Sequence, residues 1–390
     1  MFRKMPVILL IMMAMIVCIH SWIPLEVKEG IYALSLSLKS LIIFVLPALI
    51  FMLLFKTLSQ LSKQATKILL FILVAICVSN FLSTMISYQV GSALYHLDIA
   101  MKLPQESMGL TPLWKMTMPV WIANDKAMLA GMILGIVMAL CTPNLAAKIS
   151  VYFEKAIAVL LKVLSYLIPV FVCGFMIKLV HDGVIKDILI EYSLIFTLVA
   201  VSVFIYIGFL YFLSSRLRVS KVITHVKNML PASIAGFSSM SSAAALPLTM
   251  VGVEKNVENT SLARLAVPMT VNTHLIGDCF SIPIFAFAVM KQFGCVEPAF
   301  ASYLLFALYF VIAKFSVAAI PGGGIIVMLP ILESQFGFTS EMSLLITALY
   351  VLFDPVITSA NVMGNGAFAL SIHKIWGRLT RLKKEKNLKV

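Results

Sequence analysis

The sequence predicts an all-α polytopic membrane protein: eight transmembrane helices plus two re-entrant helical hairpins arranged as an inverted repeat. Three observations predict it. The 390-residue chain is 61% hydrophobic and only 12% charged, about half the charge fraction of a soluble domain. Its apolar stretches recur at lengths that cross a bilayer. Two further apolar stretches are interrupted midway, and each is followed by a long helix with polar residues at membrane depth.

A helix needs about 20 apolar residues to cross the hydrocarbon core. Full-length candidates run near 5–23, 35–58, 66–91, 127–142, 152–180, 189–214, 262–290 and 341–373. The first follows "MFRK" and imitates a signal peptide. It is long enough to span and lacks a small-x-small cleavage site, so it reads as a retained helix. The connections between the first six are short apart from 92–126, read as an external loop. Residues 222–258 break at "SSMSSAAALP" and residues 300–338 at "AIPGGG". Each limb is too short to cross comfortably, so a limb that enters and returns on the same side is expected.

Charge orients the chain. The net charge is +13, but Lys and Arg concentrate in short connections and at the C-terminus. That is the pattern of cytoplasmic loops, not of nucleic-acid binding. Lys56, Lys63 and Lys67 fall on one connection, Lys148 and Lys155 on another, and Arg216, Arg218, Lys221 and Lys227 on a third. The tail "HKIWGRLTRLKKEKNLKV" is strongly basic and reads as a topology anchor. Connections expected outside mix Glu26, Lys28 and Glu29, or Asp182, Lys186, Asp187 and Glu191. Both termini are then cytoplasmic in a bacterial inner membrane. The six cysteines form no C-x-x-C pair and read as small apolar residues, not as a disulfide frame or zinc site.

The hairpin–helix pair 222–258 with 262–290 recurs as 300–338 with 341–373, entering from opposite sides. Such inverted repeats recur in secondary transporters, where broken helices put free N–H and C=O groups at the midplane. In "AIPGGG", Pro321 removes a donor, and Gly322, Gly323 and Gly324 free the backbone. This reads as a gate over a site. In "VPMTVNTHLIGDCFSIP" (267–283), Thr270, Asn272, Thr273, His274 and Asp278 are polar, and Gly277 and Pro283 loosen the helix. His274 and Asp278 are four apart and share a face. A charged Asp at the bilayer centre costs roughly 3 kcal/mol. It should pair, protonate or line a wet cavity, which makes it a cation or proton site. In the last helix, Asp354, Thr358, Asn361 and Asn365 lie on one face, and "GNG" (364–366) can unwind it.

These constellations, in this order, resemble the dicarboxylate/amino acid:cation symporters, the glutamate-transporter-like elevator carriers, over essentially the whole chain. "SSMSSAAALPLTM" is similar to the serine-rich tip of that family's first hairpin. "IPGGG" is similar to the second, and "DPVITSANVMGNG" to the final helix. "YLIPVFVCGF" (166–175) resembles its fifth helix. The resemblance implies a homotrimeric scaffold of residues 1–64 and 127–185. It implies a sliding transport domain of residues 65–91 and 186–390. Ser239, Ser241 and Ser242, with the glycine gate, would meet a substrate carboxylate. Asp354 would hold an amino group, with Thr358 and Asn361 completing the pocket. Thr270, His274, Gly277, Asp278, Asn361 and Asn365 would serve the coupling cation, with no other cofactor.

The departures redirect the substrate. Ile357 stands where acidic-substrate members carry Arg, and Ile cannot hold a second carboxylate. A small neutral amino acid is therefore expected, with an acidic amino acid or C4-dicarboxylate as the alternative. The family's Asn-Met-Asp-Gly-Thr reads His274-Leu275-Ile276-Gly277-Asp278 here, and Ala75 and Ile76 stand near its third-helix hydroxyl ligands. Oxygen ligands for Na⁺ are thus missing, and His and Asp favour H⁺ as the coupling ion. The serines lack a nucleophile elbow and a neighbouring base, so an enzyme is not expected. A channel with re-entrant pore loops, or a member that binds without transporting, remains open at this level.

Overall fold

The computed structural model describes residues 11–12, 15–59, 66–97, 109–119, 121–122, 124–183, 192–258, 260–317 and 322–387. Among these the protein is helical, with no strand. Twelve helices carry the argument: α1 (Leu25–Ser59), α2 (Thr66–His96), α3 (Asn124–Cys141), α4 (Pro143–His181), α5 (Ser193–Ser214), α6 (Val219–Ser239), α7 (Ser242–Glu254), α8 (Thr260–Thr270), α9 (Ile276–Gln292), α10 (Phe300–Ala313), α11 (Gly323–Phe336) and α12 (Ser340–Asn387). Residues 5–10 and 13–14 of the first expected span, Lys63, residues 98–108 of the expected external loop and residues 184–191 lie outside the described residues.

Length and composition alone mark three stretches as able to cross a membrane: Leu70–His96, Ser193–Ser214 and Ser340–Leu379. At 1.5 Å per residue, α7, α10 and α11, with 13, 14 and 14 residues, reach only about 20 Å. Each packs against a partner limb, α7 on α6 and α10 on α11. Both interrupted segments are therefore helical hairpins. The α6 limb begins at Val219, three residues before the expected start, and runs 21 residues.

The helices sort by contact. α1 packs along α3 and α4, while α2, α5, α6 and α7 gather around α9 and α12. α9 is the centre: Lys291 apart, each of its 17 residues is buried. The two groups meet where a one-turn 3-10 segment, Lys314–Ser316, lies on α1, and where α10 and α11 edge onto α3. Residues 109–119 and 121–122 are fastened along α1. Trp114 Nε1 donates to Ser37 Oγ at 3.1 Å, the Met118 N–H to Ser40 Oγ at 2.6 Å, and Trp121 Nε1 to the Phe44 carbonyl at 2.9 Å.

Two expectations are corrected. Residues 262–290 are not one helix, because α8 ends at Thr270 and α9 begins at Ile276. Val271, Asn272, Thr273 and His274 are weak helix formers, and other helices satisfy the freed backbone, as shown below. Conversely, "GNG" does not unwind. α12 runs unbroken for 48 residues through 364–366. Its glycines serve packing: a Cβ on Gly364 would meet Ile276 at 3.0 Å, and one on Gly366 would meet Tyr211 and Met229.

Close backbone approach also joins α1 to α3. A Cβ on Gly131 would stand 2.7 Å from the Phe51 carbonyl oxygen, whereas one on Gly208 of α5 would meet nothing within 4 Å. Gly131→Ala is expected to destabilise by about 1–3 kcal/mol and to lower the unfolding temperature of detergent-purified protein. Gly208→Ala is the matched control and should not lower it. Equal melting for both would mean that α1 and α3 do not pack this closely.

Candidate functional site

The site is built around the break. The Thr273 and His274 N–H groups both donate to the Thr270 carbonyl, at 3.2 and 2.9 Å, and close α8. Thr270 turns its hydroxyl back to the Val267 carbonyl at 2.8 Å. The remaining groups find partners on other helices. Asn80 of α2 donates to the Thr273 carbonyl at 2.6 Å and accepts the Leu275 N–H at 3.3 Å. Asn361 of α12 accepts the Gly277 N–H at 2.7 Å. One amide carries both a donor and an acceptor, so a single Asn can mend both sides of a break.

Gly277 is fixed by proximity. A Cβ there would run into the Ile357 carbonyl oxygen and lie 3.0 Å from Asn361 Oδ1. Ile357 is buried in that crossing. His274 is fully buried, with one ring nitrogen 2.9 Å from Asn365 Oδ1 and the other 2.9 Å from Ser79 Oγ. A neutral imidazole satisfies both, donating at Nδ1 to the amide oxygen and accepting at Nε2 from the hydroxyl. His274 and Asp278 do not pair, because the break turns His274 toward α2 and α12 while Asp278 opens α9.

Asp278 takes the Tyr350 hydroxyl on Oδ1 at 2.5 Å, and its Oδ2 lies 3.5 Å from Lys314 Nζ. Asp354 accepts the Gly322 N–H on Oδ2 at 2.9 Å and the Thr358 hydroxyl on Oδ1 at 3.0 Å. Gly322 sits at φ +72°, in the left-handed region that suits glycine. Gly323 and Gly324 open α11 and are buried. A Cβ on Gly324 would stand 2.7 Å from Asp278 Oδ1. Pro321 lies outside the described residues.

At the first tip, Met240 adopts φ 48° and turns the chain between α6 and α7. Ser241 caps α7, accepting the Ala244 N–H at 3.3 Å. Ser239 donates to the Ala235 carbonyl at 2.6 Å. Both serines thus shape the hairpin, while Met240 and Ser242 face a small cavity. Asp278, Asp354, Thr358 and Asn361 meet that cavity from α9 and α12. It measures about 20 Å³, room for roughly one water molecule. Both hairpin tips, the break and α12 therefore converge on one small polar cavity holding two carboxylates.

Sequence reasoning missed Ser79, Asn80, Lys314 and Tyr350. Ala75 and Ile76 pack near Phe368 and Ile372 in an apolar cluster. The polar groups of α2 begin one turn later, where Asn80, Ser83, Thr84 and Ser87 are all 0% exposed. Their spacing within "SNFLSTMIS" is a helical polar stripe, the available signal. Lys314 and Tyr350 were each legible only as a polar group inside an apolar run.

Short hairpins that return at membrane depth, a broken central helix and a buried polar point between them define a polytopic membrane carrier. The chain belongs to the Sodium:dicarboxylate symporter family, whose family model matches residues 6–375. That is a family of cation-coupled transporters, not of enzymes. No curated protein matches the chain.

Asn80→Ala leaves a buried carbonyl and a buried N–H without their partner. Each orphaned group costs about 1–3 kcal/mol. The variant should melt several degrees lower than wild type, as should Asn80→Leu. An unchanged melting temperature in both would show that the break is held by other means.

Proposed function

We propose that the protein is a proton-coupled symporter of a small neutral amino acid, working by an elevator movement. The observation that carries the substrate reading is Asp354. It is buried at the cavity, its bonds come from a backbone N–H and a hydroxyl, and it has no ion pair among the described residues. A buried carboxylate facing a cavity is a place for a substrate ammonium. The substrate carboxylate would lie between the hairpin tips, against Ser242 and tip backbone N–H groups. Gly322 closes on Asp354, so opening of the second hairpin would free that oxygen for substrate.

Ile357 supports a neutral side chain. It is buried in the α9–α12 crossing and offers no positive charge for a second carboxylate. The family description names dicarboxylates, which keeps the acidic alternative as the reading to test. Proton coupling is supported by the chemistry at the break. The Asn80, Asn361 and Asn365 side-chain oxygens each already accept an N–H of the protein, so they are not open to a hard cation such as Na⁺.

The scaffold reading is supported by the contacts of α1 with α3 and α4. Exposed apolar residues on α3 and α4, Ile133, Leu140, Val159 and Tyr166 among them, suit lipid or the other copies of a homotrimer. The lengths of the apolar runs support eight spans, and the charge distribution supports cytoplasmic termini, with a bacterial inner membrane as the proposed location.

Uptake into proteoliposomes tests this reading. A labelled neutral amino acid should accumulate under an inward proton gradient, and external unlabelled substrate should accelerate exchange, which a channel would not show. Best uptake of aspartate or succinate, or strict sodium dependence, would overturn it. Asp354→Asn should reduce uptake roughly 10- to 100-fold, the worth of one charge-assisted bond, with melting preserved. Ile357→Arg should gain uptake of acidic substrates.

A further inference from the structure

Lys314 is the charged group that this reading leaves unused. It opens the 3-10 turn that ends the first limb of the second hairpin. Its side chain is 0% exposed, and its Nζ lies 4.3 Å from the Phe310 ring centroid. Among the described residues no hydrogen bond satisfies that amine. Its charge partner is Asp278 Oδ2, at 3.5 Å. Burying an ammonium is costly even when it is paired, and an apolar side chain of similar volume often serves stability as well. Packing alone does not explain a lysine here.

Asp278 gives the explanation. Tyr350 donates to one of its oxygens, and the other faces the ammonium. This is the arrangement of a carboxylate with a cation already on it. The Ser316 hydroxyl, in the same turn, is also buried without a hydrogen-bond partner among the described residues. We infer that Lys314 is a tethered counterion: its ammonium stands at Asp278 where a free coupling cation would otherwise bind. Two carboxylates face the cavity and one ammonium lies behind them, leaving one uncompensated negative charge. A substrate ammonium at Asp354 meets that charge, and the substrate's own carboxylate restores it, so the loaded site calls for one coupling proton and no metal cation. Lys314 thereby decides the ion requirement of the carrier without touching substrate. The pair also bridges the second hairpin to α9, and its turn rests on α1.

This inference rests on reading the cavity as the carrier site. Its test measures ion binding rather than uptake, so the two can fail separately. Melting of purified protein is compared in sodium chloride and in choline chloride at equal ionic strength, since a ligand of the native state raises its stability with occupancy. Wild type should melt equally in both. Lys314→Met and Lys314→Gln uncover Asp278 and should melt several degrees higher in sodium than in choline. The double variant Lys314→Met with Asp278→Asn, neutral at both positions, should lose that difference. Recovery of folded Lys314→Met only in sodium supports the inference in the same way. Three results would overturn it. The single variants could fold and remain indifferent to sodium. They could fail to fold in either salt while the double variant folds. Wild type could itself show a sodium-specific rise that Asp278→Asn removes.

Discussion

Everything at the centre of this protein depends on one requirement: backbone groups freed inside a membrane must find partners in the protein. Helix α9 starts mid-bundle, after five residues, 271–275, that belong to no helix. Asn80 supplies a donor and an acceptor to that gap, and Asn361 receives the Gly277 N–H just beyond it. An apolar side chain at either position would leave bonds unmade where water does not replace them. The gap brings Asn272 and Leu275 to the cavity wall and aims the start of α9 at it.

Glycine does the complementary work. Gly277 lets α9 touch the backbone of α12, and a Cβ on Gly236 of α6 would stand 3.3 Å from the Thr358 carbonyl oxygen. Gly324 leaves room for Asp278 and Tyr350 at the mouth of α11. Close approach of main chains is how helices associate where lipid is as apolar as leucine.

Charge inside the bundle is arranged with the same economy. Asp278 and Asp354 approach one cavity, yet their surroundings differ. The first is held by a phenol and an ammonium, the second by a glycine N–H and a hydroxyl. The first carboxylate is thus paired with a cation, and the second accepts only from neutral donors. His274, with both ring nitrogens occupied, belongs to the framework that fixes the break.

The sequence by itself determined the all-helical membrane class, the two hairpins and the polar face Asp354, Thr358, Asn361 and Asn365. These follow from rules acting within a few residues: the length needed to span lipid, and the helical repeat that brings positions three and four apart together. It expected "GNG" to unwind, where α12 stays helical, and Gly277 and Pro283 to loosen a helix that breaks at 271–275, and it put His274 on one face with Asp278. These errors have one cause. The partners that decide them lie far off in the chain: Ser79 and His274 are 195 residues apart, His274 and Asn365 are 91, and Lys314 meets Asp278 across the second hairpin. Local pattern names the residues that must be satisfied. Only the packing of α2, α9 and α12 chooses which side chain satisfies each one.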